Sequence, residues 1–324
     1  MEHSSFYKPA IWFRNGHIQT ILASAFRKVN GVSYTRERIQ TADDDFLDLD
    51  WSCSGEKVLA VISHGLEGNS QSASVKGMVK KLNEAHIDCL AWNYRGCSGE
   101  MNRQLRMYHN GSTDDLDAVI SHAISRGYKN IVLIGFSMGG NMSLLYLGQQ
   151  SEQLRPEIKA AVTFSVPVDL EDSAKQLSRL SNTLYMKHFL KMFHHKLKEK
   201  QILFPQHINL EGYDKLKNFK DYDDRYTAAI HGFESAEDYW SKCSCGPVLN
   251  DVQVPSLIVN AEDDPFLGPS CYPELQQTNS NIILKIPKHG GHVGFMQQHL
   301  DHTYWSEFQT IDFIQRLAIN KSCS

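Results

Sequence analysis

The sequence predicts an α/β protein built on a doubly wound, mostly parallel sheet. The first observation behind this is a set of short, unbroken apolar runs at Val58–Ser63, Ile87–Asn93, Ile131–Ile134, Ile158–Val166 and Pro255–Asn260, which read as strands buried on both faces. The second is that segments with helical apolar spacing stand between most of these runs, as crossover connections require. The third is that turn-rich stretches such as His64–Gly68, Tyr94–Gly99, Gly135–Gly139 and Ala261–Phe266 follow directly on strands. That collects them at the carboxyl edge of the sheet, where sites in such folds lie.

Taken in order, residues up to about Asn30 read as an irregular or partly helical lead-in anchored by Trp12, Phe13, Ile18, Ile21, Leu22 and Phe26. Ser33–Gln40 is a first strand. Phe46–Trp51 alternates apolar and acidic residues as a half-buried edge strand does. The Asp43-Asp44-Asp45 run between them is expected to be a solvated hairpin turn rather than a metal site. Val58–Ser63 is a third strand, and Ser74–Ala85 carries Val75, Met78, Val79 and Leu82 at helical spacing. After the strand Ile87–Asn93, Asp114–Ile124 reads as a helix capped by Thr113 or Ser112. Ile131–Ile134 then runs through a glycine-rich turn into a helix bearing Met142, Leu144, Leu145 and Leu147.

Beyond the strand Ile158–Val166 the alternation stops until about Asn250. Leu184, Tyr185, Met186, Phe189, Leu190, Phe193 and Leu197 lie near one face of a helix, with Lys187, Lys191, Lys196 and Lys198 around it. The expected organisation is one domain over residues 1–324, with a helical cap inserted at about 165–250. Such an apolar, basic helix packs on the core and can admit acyl chains or touch a lipid surface transiently. The strands Pro255–Asn260 and Asn281–Ile286 and a helix over Tyr304–Ile319 complete a set of eight strands.

Composition excludes several classes. With a net charge of −4 over 324 residues, nothing pulls the chain toward nucleic acid. The seven cysteines, Cys53, Cys89, Cys97, Cys243, Cys245, Cys271 and Cys323, are odd in number and scattered. They fit reduced thiols in a cytoplasmic protein better than a disulfide framework or a zinc site. Met1–Ala10 has no signal-peptide pattern, and no apolar run approaches the roughly 18 residues of a membrane span.

The chemistry centres on Gly135-Phe136-Ser137-Met138-Gly139, a G-x-S-x-G turn between a buried strand and an apolar helix. The turn is so tight that only glycine fits two places before and after the serine, which thrusts the Ser137 hydroxyl above the sheet at a helix N-terminus. The chain order Ser137, Asp264, His292 supplies a nucleophile, an orienting acid and a base, each after a strand. A serine hydroxyl is a poor nucleophile, so a neutral imidazole must take its proton and a carboxylate must hold the ring. Asp263 and Asp169 are rival acids and His289 a rival base; Gly290-Gly291 favours His292 by letting its loop fold over the site. The His64-Gly65 turn puts the Leu66 amide beside the Met138 amide as an oxyanion hole. His109 and Asp114 stand at an acyltransferase-like spacing, but two common residues at one spacing carry little weight. His194, His195 and His207 read as surface or packing residues.

The runs R-N-G-H-I-Q-T from Arg14, H-G-L-E-G from His64, R-G-C-S-G-E from Arg95, G-F-S-M-G-G-N-M from Gly135, A-E-D-D-P-F from Ala261 and H-G-G-H-V-G-F from His289 resemble the YheT-type branch of α/β-hydrolases. The similarity continues through I-H-G-F from Ile230 and D-Y-W-S-K-C-S from Asp238, and mammalian ABHD esterases and lipases are more distant. It implies the α/β-hydrolase fold and a serine carboxylesterase with Ser137, Asp264 and His292 as its charge-relay set. Met138 stands where leucine is common in the family, which leaves the backbone amide available. The expected substrates are a small-molecule or lipid ester and water, with no metal or organic cofactor. A thioesterase, lipase or acyltransferase would use the same three residues; a non-catalytic binding protein would not need them.

Overall fold

Leu133 and Ile134 are neighbours in the central strand yet belong to different apolar cores, and this division organises the molecule. A computed structural model describes residues 7–274, 279–297 and 303–317. It contains β1 (Thr35–Gln40), β2 (Phe46–Ser52), β3 (Val58–Ser63), β4 (Asp88–Asn93), β5 (Asn130–Phe136), β6 (Ile158–Phe164), β7 (Ser256–Val259) and β8 (Ile282–Lys285). They form one sheet in the order β1-β2-β4-β3-β5-β6-β7-β8. β1 and β2 are antiparallel to their neighbours, and β4 through β8 run parallel.

Successive side chains of a strand point to opposite faces, so a sheet covered on both sides needs apolar residues at every position. β3 and β5 meet that demand: Leu59, Val61, Ile131 and Leu133 enter one core, and Ala60, Ile62, Val132 and Ile134 the other. The first core is closed by α3 (Thr113–Ser125) and α4 (Met138–Gln150), the second by α2 (Ala73–Glu84) and α10 (Trp305–Arg316). α1 (Gly16–Ala25) lies in the lead-in. Between β6 and β7 the chain is helical: α5 (Leu170–Leu177), α6 (Thr183–Leu203), α7 (Phe219–Tyr222), a π-helical turn Asp223–Ala228, α8 (Ala229–His231) and α9 (Ala236–Cys243). No helix among the described residues is long and apolar enough to cross a membrane.

Several expectations are corrected. β2 is neither half-buried nor an edge: it lies between β1 and β4, and Asp48 and Asp50 are buried. The acidic face survives burial because β1 covers it, Arg38 pairing with Asp48 and Arg36 with Asp50, each through two hydrogen bonds. The Asp43–Asp45 hairpin turn is present, but Asp45 is fully buried, and Asp43 and Asp45 both bind the Arg95 guanidinium. No metal-binding group of acids, histidines or cysteines occurs among the described residues. Ser112 sits at the start of α3, but its hydroxyl accepts from the His109 amide instead of capping the helix.

The lead-in differs most. Trp12, Ile18, Ile21 and Phe26 are exposed, whereas Gly16, Gln19, Thr20 and Ala23 are buried. The lead-in is partly helical as expected, but the expected anchors Trp12, Ile18, Ile21 and Phe26 face outward, and the side of α1 on the core carries the hydrogen-bonded Gln19 and Thr20. In α6, Leu184 is exposed while Lys196 and Lys200 point inward. The end of the predicted final helix beyond Leu317 lies outside the described residues, as do Cys323 and Met1 to Phe6.

Candidate active site

The carboxyl ends of β3, β5 and β7 and the loop after β8 converge. Ser137 follows β5 with φ 52° and ψ −119°, a positive φ that costs a serine energy and persists because the neighbouring chain holds it. A Cβ on Gly135 would overlap the Gly139 carbonyl, and one on Gly139 the Ser63 carbonyl. Both glycines of the turn are therefore required by contact. The Ser137 amide donates to Phe164 of β6 at 2.8 Å, tying the turn to the sheet.

The Ser137 hydroxyl lies 2.8 Å from His292 Nε2. On the other side of the ring, Nδ1 lies 3.1 Å and 3.0 Å from the two carboxylate oxygens of Asp264. The Asp264 side chain is completely buried and that of His292 is 11% exposed, so the array opens only at the serine end. Asp264 Oδ1 also accepts from the Phe266 amide, and the Phe266 ring packs on the imidazole with centroids 4.2 Å apart.

The rivals lie elsewhere. Asp263 binds His289 Nδ1 at 3.2 Å and accepts from the Gly291 amide at 2.8 Å, so this second pair braces the loop that carries His292. Asp169 caps α5 by accepting from the Asp172 amide. Asp114 forms a two-bonded pair with Arg106, while His109 accepts from the Gly111 amide and packs on His231 and Tyr239. His194 stacks on Tyr213, and His195 pairs with Glu199 on the surface.

Leu66 and Met138 face the same cavity as Ser137 and His292. Among the described residues, neither backbone amide donates to a protein acceptor. Met138 opens α4, where the first backbone amides of a helix have no partner within it, so its N–H is left toward the cavity. The Leu66 loop is held by His64, whose Nε2 accepts from the Tyr94 amide at 3.2 Å while Nδ1 donates to the Gly65 carbonyl at 2.7 Å. Complete burial lowers this imidazole to a pKa of about 3, keeping it neutral.

Sequence reasoning missed two supports. Glu67, one residue past Leu66, meets Lys196 of α6 at 2.9 Å and the Tyr108 hydroxyl, which locks the helical layer to this loop. Thr20 of α1 accepts the His292 amide at 2.8 Å, and Gln19 accepts the Met296 amide at 2.9 Å. Neither support has a signal in the sequence, because each depends on a partner far along the chain.

The cavity measures about 440 Å³ and extends from Ser137 under the helical layer. Its walls include Leu177, Phe189, Met192, Phe193 and Phe219. Asp223 and His231 add polar groups to its lining. Burial raises the Asp223 carboxyl to about 7 and lowers His231 to about 4.

Residues 61–298 match the family model described as alpha/beta hydrolase fold. The chain is 32% identical to the "Putative esterase YheT" of Escherichia coli strain K12, over 99% of this chain and 96% of that one. It is 30% identical to the phospholipase ABHD3 of Mus musculus, over 90% of this chain and 73% of that one. Among solved structures, the Pyrococcus furiosus esterase Pf2001 superposes with a TM-score of 0.59 at 16% identity, covering 90% of this chain and 98% of that one. At that identity the likeness is one of fold.

Proposed function

The chain belongs to the α/β-hydrolase fold family, and from that premise we propose that it is a serine carboxylesterase acting through an acyl-enzyme on acyl or lipid esters. The observation that carries this reading is the continuous line from Ser137 Oγ through His292 to the buried Asp264 carboxylate. Ser137 Oγ attacks the ester carbonyl as its proton passes to His292 Nε2. Asp264 keeps the other ring nitrogen protonated and stabilises the imidazolium that forms. The carbonyl oxygen, now negative, takes the unpaired amides of Leu66 and Met138. His292 then delivers its proton to the leaving alcohol, and in the second half activates water against the acyl-serine.

In this reading the chain is one catalytic domain with residues 165–250 as its cap. The apolar walls supplied by α5 and α6 hold the acyl chain, consistent with relatives named esterase and phospholipase. A fluorophosphonate probe should label Ser137 and leave Ser137→Ala unlabelled. In that variant, turnover of a soluble ester should fall by a factor on the order of 10⁴ or more. Labelling or activity that survives the substitution overturns the assignment.

A further inference from the structure

On the side of α1 away from the core, Ile18 and Ile21 are exposed, and near its two ends Trp12 and Phe26 are 67% and 70% exposed, with Ile11 beside Trp12. Leu184 at the start of α6 and Leu180 in the short turn just before it are 78% and 93% exposed. The two groups are neighbours, since His17 Nδ1 lies 3.2 Å from the Tyr185 hydroxyl with the rings stacked. Thr20, Ser24, Tyr185 and His188 line the cavity, so this apolar surface borders the cavity where α1 meets α6. Large side chains left in water around the edge of an apolar cavity mark a surface that binds something.

The charge around the patch indicates what. Residues 7–36 and 173–198 contain no aspartate or glutamate, although the whole chain is net negative. Lys8, Arg14 and Lys28 from the first stretch, and Arg179, Lys187 and Lys191 from the second, are exposed, and none has an ion-pair partner among the described residues. A second copy docked on this face by two-fold symmetry would set these cations against one another. An anionic lipid surface suits both features: the aromatic and aliphatic side chains enter the headgroup boundary, and the cations meet its negative charge.

We propose that the face formed by α1 and the start of α6 docks on an anionic bilayer, with the cavity turned toward the membrane. The docking stands apart from the reaction; only the further step, that the bilayer supplies the ester, rests on the hydrolase reading.

The test uses the full chain carrying Ser137→Ala, so that no lipid is consumed, floated with vesicles of phosphatidylcholine alone or with phosphatidylglycerol added. Binding is expected only to the anionic vesicles and should weaken with salt. Lys187→Glu with Lys191→Glu should lower it on the order of tenfold or more. Trp12→Ala with Leu184→Ala should lower it comparably, while the same pair in the active chain leaves hydrolysis of a soluble short-chain ester unchanged. Absence of binding to anionic vesicles overturns the proposal, as does equal binding by these variants. A dimer that the Trp12/Leu184 variant dissociates, without vesicle binding, would assign the face to a second copy instead. Vesicle binding by a chain whose wild type hydrolyses no ester would uphold the docking and sink the hydrolase reading alone.

Discussion

The hydroxyl of Thr20 accepts the backbone amide of His292 at 2.8 Å, joining residues 272 positions apart in the chain. Thr20 donates in turn to the Gly16 carbonyl at 2.7 Å, so the first helix of the fold sets the height of the proposed catalytic imidazole. Thr20→Val keeps the shape and removes the acceptor. The expected result is a kcat lower by about ten- to a hundredfold with a smaller change in KM, and recovery in Thr20→Ser. Steady-state kinetics on a soluble ester checks it; unchanged kcat in Thr20→Val would show that the bond does not position the ring.

Asp263 and Asp264 are adjacent but have different partners, and their amides should separate them. Asp264→Asn presents the wrong group to His292 Nδ1 and should cost kcat a factor on the order of 10⁴. Asp263→Asn retains an oxygen for the Gly291 amide and should stay within about tenfold of wild type. Equal losses would return the choice of acid to open ground.

Arg38 and Asp48 should respond unequally to substitution. Burial pushes the Asp48 carboxyl up, but hydrogen bonds from Arg38 and Ser98 outweigh it and leave the group below the ordinary carboxylate value. Arg38→Met strands a buried carboxylate and should destabilise by about 3 kcal/mol, more than Asp48→Asn, whose partner can turn to water. Because the folded value is depressed, Asp48's contribution is present above the unfolded pKa of about 3.9 and is lost as pH falls through the folded value. Urea unfolding of the two variants at neutral and acid pH measures both effects.

Three neutral imidazoles should make the fold sensitive to mild acid. Burial holds His64 and His109 at about 3 and His231 at about 4, all below an unfolded histidine. From about pH 6.5 downward, the unfolded chain binds protons that the folded chain refuses. Stability should therefore fall by about 1.4 kcal/mol per pH unit for each group, ceasing near its folded value. His231→Phe should flatten the stability profile between pH 6 and about 4.5 relative to wild type. A profile identical to wild type would mean that the ring gains protonation in the folded state.

The central strands β3, β5, β6 and β7 were legible in the sequence because burial on both faces leaves an apolar run that no solvent-facing element needs. Ser137 was legible because a turn that tight admits only glycine at 135 and 139. β2 was misread because an acidic alternation looks alike whether water or arginine faces it, and Arg36 and Arg38 lie in a separate stretch. α1 was misread because apolar residues are taken to face inward, whereas Gln19 and Thr20 gain more from the His292 loop.

The sequence by itself determined the order of elements, the turn that presents Ser137 and the three residue types that follow strand ends in the right succession, all consequences of local sterics and periodicity. Only the tertiary structure decided which carboxylate meets His292, which amides are left unpaired beside Ser137, and which side of α1 remains in water. Those depend on side chains meeting from stretches far apart in the chain, and distance along a polypeptide carries no record of distance through space.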